Sequence, residues 1–348
     1  MKGKVMKKVL LINQFNSDNL GDNLLSNMLS RYLEKKNIEV NNIGYALDKE
    51  QRVNYNVTTV TSYQKFKRKA PNFLKYHFLF KRNLKRTLSR INLADYSGII
   101  IGGGQLIKHK TVFSYCFNFW SSIARKNNIP LFIYGVGVDS NLSQSEINRY
   151  SKGIKYARFI NCRDLESQQA FEELFNVKAV VSPDVAFSLI VPNKRKENIM
   201  VVMPYNYEVA RHSFGYEITE DNYYTDLYDK VKQFYNNDYK IVLSATTTSD
   251  ARECLNFKKY LETKEISVEL CEAQKIDDLI NLFSRSKVIL TGRMHAMIMG
   301  LCSDNKIIPI VISHKIRTFE KEYLNDNYNY EQIKEYSDLG IEQLISKL

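Results

Sequence analysis

Residues 288–301 read VILTGRMHAMIMGL, and this stretch decides the fold. Val288, Ile289 and Leu290 form an apolar run too short to show a helical period, and such a run suits a strand buried on both faces of an α/β sheet. The run stops at Thr291 and Gly292. Beyond that turn Ala296, Met297, Met299, Gly300 and Leu301 favour a helix packed closely on the sheet, because Ala296 and Gly300, one turn apart, let backbones approach. Arg293 and His295 then fall in the first helical turn, at the carboxyl end of a strand. Open α/β sheets bind ligands there, and the unpaired N–H groups of the helix start favour an anion. A guanidinium offers a fixed fork to carboxylate or phosphate, and an imidazole two residues on exchanges a proton near neutral pH. The same two residues also fit a helix cap and a packed side chain, so the rest of the chain has to decide.

The chain has 348 residues, which is material for two domains of ordinary size. A composition of 44% hydrophobic and 25% charged residues is that of a globular protein, and no apolar run approaches a membrane span. Residues 1–8 are basic, but the apolar run 9–12 is too short for a secretory leader, so a cytoplasmic location is expected. Cys116, Cys162, Cys254, Cys271 and Cys302 form no C-x-x-C pair and read as unpaired thiols. The histidines show no ligand spacing either, and no metal is expected.

Working back to the amino end, residues 8–12 form another buried strand, followed by the polar loop NQFNSDNLGDN and then Leu24, Leu25, Met28, Leu29 and Tyr32 at helical spacing. Gly21 would let the backbone come close to a ligand, and Asp22 is placed to cap the helix. A plain strand-to-helix turn explains both equally well. Residues 97–106, SGIIIGGGQL, put Ile99, Ile100 and Ile101 in a central strand, with Gly102, Gly103 and Gly104 at its carboxyl end. Backbone N–H groups free of side chains can line a ligand cleft there, although tight packing is the alternative. The spacing is not G-x-G-x-x-G, so no dinucleotide site is inferred. Residues 129–138 repeat the pattern with Gly135 and Gly137, and a strand at 157–162 leads into Arg163 and Asp164. Asp184 stands in the segment SPDVAF.

Proline and charge at 192–198 place a domain boundary, giving a first domain of residues 1–192 and a second of 193–330. In the second, apolar strands alternate with helical segments from residue 199 to residue 312. Residues 205–222 read as a long aromatic and polar loop, of the kind that serves as a binding loop or lid. Residues 331–348 return to helical spacing and are placed to cross back to the first domain. Repeated βα units with glycine at strand ends describe an α/β fold of two Rossmann-like domains.

The net charge of +12 is unevenly spread. Residues 51–94 contain no Asp or Glu but hold Arg52, Lys65, Lys67, Arg68, Lys69, Lys75, Lys81, Arg82, Lys85, Arg86 and Arg90. Within 65–90, Phe73, His77, Phe80, Leu84 and Leu88 are spaced by three or four, and Tyr76 and Phe78 widen that face. A basic amphipathic helix marks an anionic partner or a membrane surface, and a solvated helix whose apolar side joins the core has the same pattern. No nucleic-acid motif accompanies the charge, so no nucleic acid partner is expected.

Taken in order, Asn19-Leu-Gly-Asp22, Ile101-Gly-Gly-Gly104, Tyr134-Gly-Val-Gly137, Arg163-Asp164, Pro183-Asp184, Arg293-Met-His295 and Lys315 resemble the polysaccharide pyruvyl transferase family, over about residues 8–320. The resemblance implies two Rossmann-like domains facing a central cleft, as in B-type glycosyltransferases. It implies transfer of an enolpyruvyl unit from phosphoenolpyruvate, as co-substrate and without further cofactor, to sugar hydroxyls that end as a pyruvate ketal. On this reading Arg293, with Gly292 beside it, holds the donor anion, His295 is the acid, and Arg163 and Lys315 lie near the donor. Gly21, Asp22, Gly102, Gly103, Gly104, Gly135, Gly137 and Asp184 line the cleft. The acceptor is a cell-surface polysaccharide or its lipid-linked precursor, and residues 65–90 are expected to hold the enzyme at the inner face of an anionic membrane. There are two departures: Lys287 stands where an acidic residue is common, and Met203-Pro-Tyr205 lacks an expected basic residue, for which Arg211 or His212 are alternatives. A nucleotide-sugar glycosyltransferase and a non-enzymatic glycan- or membrane-binding scaffold fit the same architecture.

Overall fold

The structure, a computed structural model, describes residues 7–46, 51–56, 71–215, 217–325 and 329–348. Val9, Leu10, Leu11 and Ile12 have no solvent exposure, and their strand, β1 (Lys7–Asn13), sits inside the first sheet. It is followed by α1 (Leu20–Lys35), β2 (Ile38–Gly44), α2 (Asn72–Lys75), a π-helical turn (Tyr76–Phe80) and α3 (Lys81–Leu88). Then come β3 (Gly98–Ile107), α4 (Phe113–Lys126), β4 (Leu131–Val138), α5 (Gln144–Tyr156), β5 (Phe159–Cys162), α6 (Leu165–Phe175) and β6 (Val180–Val181). The strand order is β2-β1-β3-β4-β5-β6, and every pairing is parallel. Parallel neighbours need crossover connections, which the intervening helices supply.

The second half repeats the scheme. It contains β7 (Ile199–Met203), α7 (Tyr207–Phe214), α8 (Glu220–Tyr235), β8 (Lys240–Leu243), α9 (Thr248–Glu262), β9 (Val268–Leu270), α10 (Ile276–Arg285), β10 (Val288–Thr291), α11 (Met294–Cys302), β11 (Lys306–Pro309) and α12 (His314–Tyr323). The parallel order is β11-β10-β7-β8-β9, with Ile289 beside Val201 on one side and Ile307 on the other. The order reverses between β1 and β3 in one sheet and between β7 and β10 in the other, so each sheet has its ligand crevice at those carboxyl ends. The two crevices meet. The Leu20 N–H donates to the Thr246 carbonyl at 2.9 Å, and the Thr248 N–H to Asp18 Oδ2 at 3.1 Å.

One face of the first sheet has its own core around Phe117, Trp120 and Tyr150. The other face, covered by Leu24, Leu25, Met28 and Leu29 of α1, belongs to an apolar cluster that continues through Ala296, Met297 and Leu282 of the second domain. Burial of each such side chain is worth about 2 kcal/mol. The exposed ion pairs are worth less than about 1 kcal/mol each, so hydrocarbon holds the seam. The last helix, α13 (Tyr330–Lys347), packs on the first domain. Its Ser337 hydroxyl lies 2.9 Å from that of Ser188 and donates to the Asp184 carbonyl at 3.2 Å, and Tyr32 donates to Glu342 at 3.1 Å.

Several expectations need correction. The glycines at 102–104 do not form a turn beyond the strand: β3 runs through them to Ile107, and all three are buried. Likewise Gly135 and Gly137 lie within β4. The long loop at 205–222 is largely helical, because Asn206 accepts from the Val209 N–H and caps α7, and Thr219 caps α8. The apolar stripe of the basic segment is broken by the π turn, whose extra residue rotates the side chains of α3 relative to those of α2. Leu84 is buried, whereas Phe73 and Phe78 point outward. Residues 65–70 of that segment lie outside the described residues.

A Cβ on Gly340 would stand 2.3 Å from the Ser182 Oγ and 3.2 Å from the Tyr134 hydroxyl. Gly340→Val is therefore expected to lower stability by about 1–3 kcal/mol. Chemical denaturation measures it; an unchanged midpoint would mean that α13 is not pressed against the first domain.

Candidate active site

The site is built from strand ends. The Arg293 N–H donates to the Thr291 Oγ1 at 3.1 Å, which fixes the turn leaving β10. Its guanidinium forks onto Asp250, with Nε 2.6 Å from Oδ2 and Nη2 2.8 Å from Oδ1, and lies 3.9 Å from the Tyr205 ring centre. Burial alone would lower the Arg293 pKa, but Asp250 outweighs it and raises it. The position where a basic residue was expected, Tyr205, thus supplies a stacking face for the arginine already present. Arg211 and His212 do not take its place: both are exposed on α7 and pair with Glu208. Gly292 is buried under the turn, with Ile310 and Tyr205 as its neighbours.

His295, in the first turn of α11, is held between the domains. Its Nε2 lies 3.5 Å from Asp184 Oδ2 and has no hydrogen-bond partner among the described residues. On the Nδ1 side stands Gly21, where a Cβ would come within 2.6 Å of that nitrogen. Only glycine lets α1 approach the ring so closely. Asp22 does not cap α1. Asn19 does, accepting from the Gly21 N–H at 3.0 Å, and Asp22 sits inside the first turn, where it accepts from Asn19 Nδ2 at 3.0 Å. Burial raises the Asp22 pKa, with His295, Lys108, Arg293 and Arg163 pulling the other way.

Arg163, at the end of β5, is 5% exposed. It donates to the Gln105 side-chain oxygen and reaches Asp184 at 3.5 Å through Nη1. Gly137 makes room for that pair, since a Cβ there would be 2.1 Å from Gln105 Oε1. Asp184 also accepts from the Ala186 N–H at 3.1 Å. Burial would raise this carboxyl, but the neighbouring His295, Arg163 and the Ala186 N–H outweigh it and bring it down to about 2.

Two lysines complete the cluster. Lys315 comes from the start of α12 and Lys108 from the residue after β3. Neither ammonium has a hydrogen-bond or ion-pair partner among the described residues. Burial pushes both below the usual lysine range, and the Arg163 charge adds to the effect, while Asp22 opposes it at Lys108 and Asp184 at Lys315. Beside Lys315 a cavity of about 80 Å³ is lined by Arg163, Asp184, Met294, Lys315, Phe319 and Tyr323, among others. Among the described residues no three His, Cys, Asp or Glu side chains are grouped to hold a metal ion, and all five cysteines are free.

The structure thus brings together Gly21, Asp22, Arg163, Asp184, Arg293, His295 and Lys315. Gly102, Gly103, Gly104 and Gly135 lie within the strands, where Gly102 abuts the Tyr134 carbonyl, Gly103 and Gly104 take φ of +85° and +96°, and a Cβ on Gly104 would stand 3.7 Å from Asp22 Oδ1. Sequence reasoning missed Lys108, Gln105 and Asp250. Lys108 had a signal, as the first polar residue past Leu106 and Ile107 at a central strand's carboxyl end. Asp250 had none beyond a helix start, since its partner is 43 residues away.

A cleft between two Rossmann-like domains, with cations from both, defines a glycosyltransferase-B-like protein. The model of the family "Polysaccharide pyruvyl transferase" matches residues 19–314, and the chain belongs to that family. No curated protein matches the sequence. Among solved structures, the fold is similar to that of UDP-GlcNAc 2-epimerase from Neisseria meningitidis bound to UDP-GlcNAc. That match has a TM-score of 0.55 at 12% identity and covers 97% of this chain and 100% of the other. The UDP-GlcNAc 2-epimerase of Methanocaldococcus jannaschii in complex with UDP-GlcNAc and UDP gives 0.53 at 12% identity, covering 96% and 92%. At such identity the likeness concerns architecture alone.

The low Asp184 pKa has a consequence for stability. The carboxyl goes from 3.8 ordinarily to about 2 in the folded chain, so its stabilising contribution, roughly 2 kcal/mol, is full above pH ~4 and is lost as pH falls towards ~2. Asp184→Asn should flatten the acid limb of a stability-versus-pH curve in that window. A parallel limb in the variant would contradict the assignment.

Proposed function

We propose that the protein transfers a pyruvyl group from phosphoenolpyruvate to hydroxyls of a cell-surface polysaccharide or its lipid-linked precursor. The observation that carries this reading is the pair Lys108 and Lys315, one from each domain, both buried near Arg163 and neither in an ion pair among the described residues. Arg293 is matched by Asp250, and Arg163 by Asp184. The two amines are what remains for a small dianion, whose charge would restore their protons. The cavity of about 80 Å³ beside Lys315, Arg163 and Asp184 is too small to enclose a nucleotide-sugar.

In this scheme a sugar hydroxyl adds to C2 of phosphoenolpyruvate while C3 takes a proton from His295. The hydroxyl proton passes to the protein or solvent. The bond from C2 to the phosphate oxygen then breaks, and the second hydroxyl closes the ketal at C2 as its proton leaves with the inorganic phosphate. Nε2 of His295 lies 3.5 Å from the Asp184 carboxylate and has no hydrogen-bond partner among the described residues. Asp184 is placed to orient the ring.

Phosphoenolpyruvate with suitable glycan acceptors should release phosphate, and His295→Ala should reduce the rate by about 10²–10⁴-fold. Release that survives this change removes the acid. Thermal stabilisation by UDP-GlcNAc but not by phosphoenolpyruvate would favour the nucleotide-sugar alternative. Because bound dianion raises the depressed lysine pKa values, phosphoenolpyruvate binding should take up protons at alkaline pH and weaken as pH rises. Calorimetry in buffers of different ionisation enthalpy measures the uptake; Lys315→Met should diminish it, and an undiminished uptake would assign the proton elsewhere.

A further inference from the structure

The basic segment has two faces that the sequence did not separate. One face joins the core. Tyr76 stacks on Tyr115 with ring centres 5.2 Å apart, Leu84 is 1% exposed, and Phe80 and Leu88 pack against the same cluster. The opposite face is open to water: Phe73 is 50% and Phe78 77% exposed, and His77, Arg82, Lys85, Arg86 and Arg90 are exposed with them. No Asp or Glu occurs from residue 51 to residue 94. Among the described residues Lys81, Arg82, Lys85 and Arg90 make no ion pair.

Two aromatic rings held in water on a segment rich in exposed cations complement a surface that is anionic outside and apolar just beneath. We propose that this face of α2, the π turn and α3 docks onto a bilayer containing anionic phospholipid, with Phe73 and Phe78 entering the acyl boundary and the cations lying among the headgroups. A soluble polyanion would engage the cations equally well but would leave the rings where they are. The rings therefore decide for lipid.

The position of the face fits such docking. α3 ends at Leu88, and the chain then enters β3 at Gly98, so α3 runs against the strands and its beginning lies towards their carboxyl ends. Tyr115, the partner of Tyr76, is at the start of α4, which leaves the carboxyl end of β3. Phe73 and Phe78 thus mark the end of the first domain that faces the cleft. Docking does not depend on which reaction the cleft performs.

The test is flotation of the full chain with phosphatidylcholine vesicles, with and without phosphatidylglycerol, at low and high salt. The chain should float only with the anionic vesicles, and salt should release it. Each of Arg82→Gln, Lys85→Gln and Arg90→Gln should lower partitioning about five-fold. Phe73→Ser with Phe78→Ser should lower it by about ten-fold or more, with an unchanged circular dichroism spectrum. Absence of flotation with anionic vesicles overturns the proposal. So does binding to vesicles and to dextran sulfate that the double phenylalanine variant leaves intact, which would assign the face to a soluble polyanion.

Discussion

Asp184 stands between two basic side chains that come from different sheets. Arg163 belongs to the first domain and His295 to the second; the carboxylate between them is buried with Arg163, and His295 is partly exposed. Such an arrangement adds little net stability, because desolvation consumes most of the attraction, yet removing one member leaves a buried charge at a cost of about 3–5 kcal/mol. It therefore fixes how the domains meet. The α1 backbone at Gly21, the ring of His295 and the fork of Arg163 each have one acceptable place as long as that carboxylate remains charged.

The four strong cations divide by type. Each arginine has a carboxylate: Asp250 for Arg293 and Asp184 for Arg163. The two lysines have none. A guanidinium cannot shed its proton and must be matched permanently, whereas a lysine can stand neutral in a dry cleft and charge when an anion arrives. Uncompensated amines beside matched guanidiniums let a charged site persist in the free protein without the self-repulsion that four fixed positive charges would produce.

Much of this was legible in the chain. Runs such as VILT and IMVVM are unbroken hydrocarbon, and only a strand covered on both faces needs that, so the two parallel sheets followed directly. Arg293, His295, Arg163 and Lys315 were visible because strand ends are where chemistry collects. Other features were hidden. The glycines after Ile101 looked like a turn because a single sequence does not show that Tyr134 presses on Gly102. The helix at Tyr207–Phe214 looked like a loop because its cap, Asn206, is a common turn former. Asp250 is separated from Arg293 by 43 residues of chain, and only folding makes them neighbours.

The chain leaves the first domain before Ile199 and returns to it with Tyr330–Lys347. Two covalent crossings therefore join the lobes, where one would leave the second domain to swivel freely. A body attached at two points keeps a single easy motion, rotation about the line through both. Any opening of the cleft is in that sense a door on a pair of hinges, and the cluster around Asp184 would be its latch.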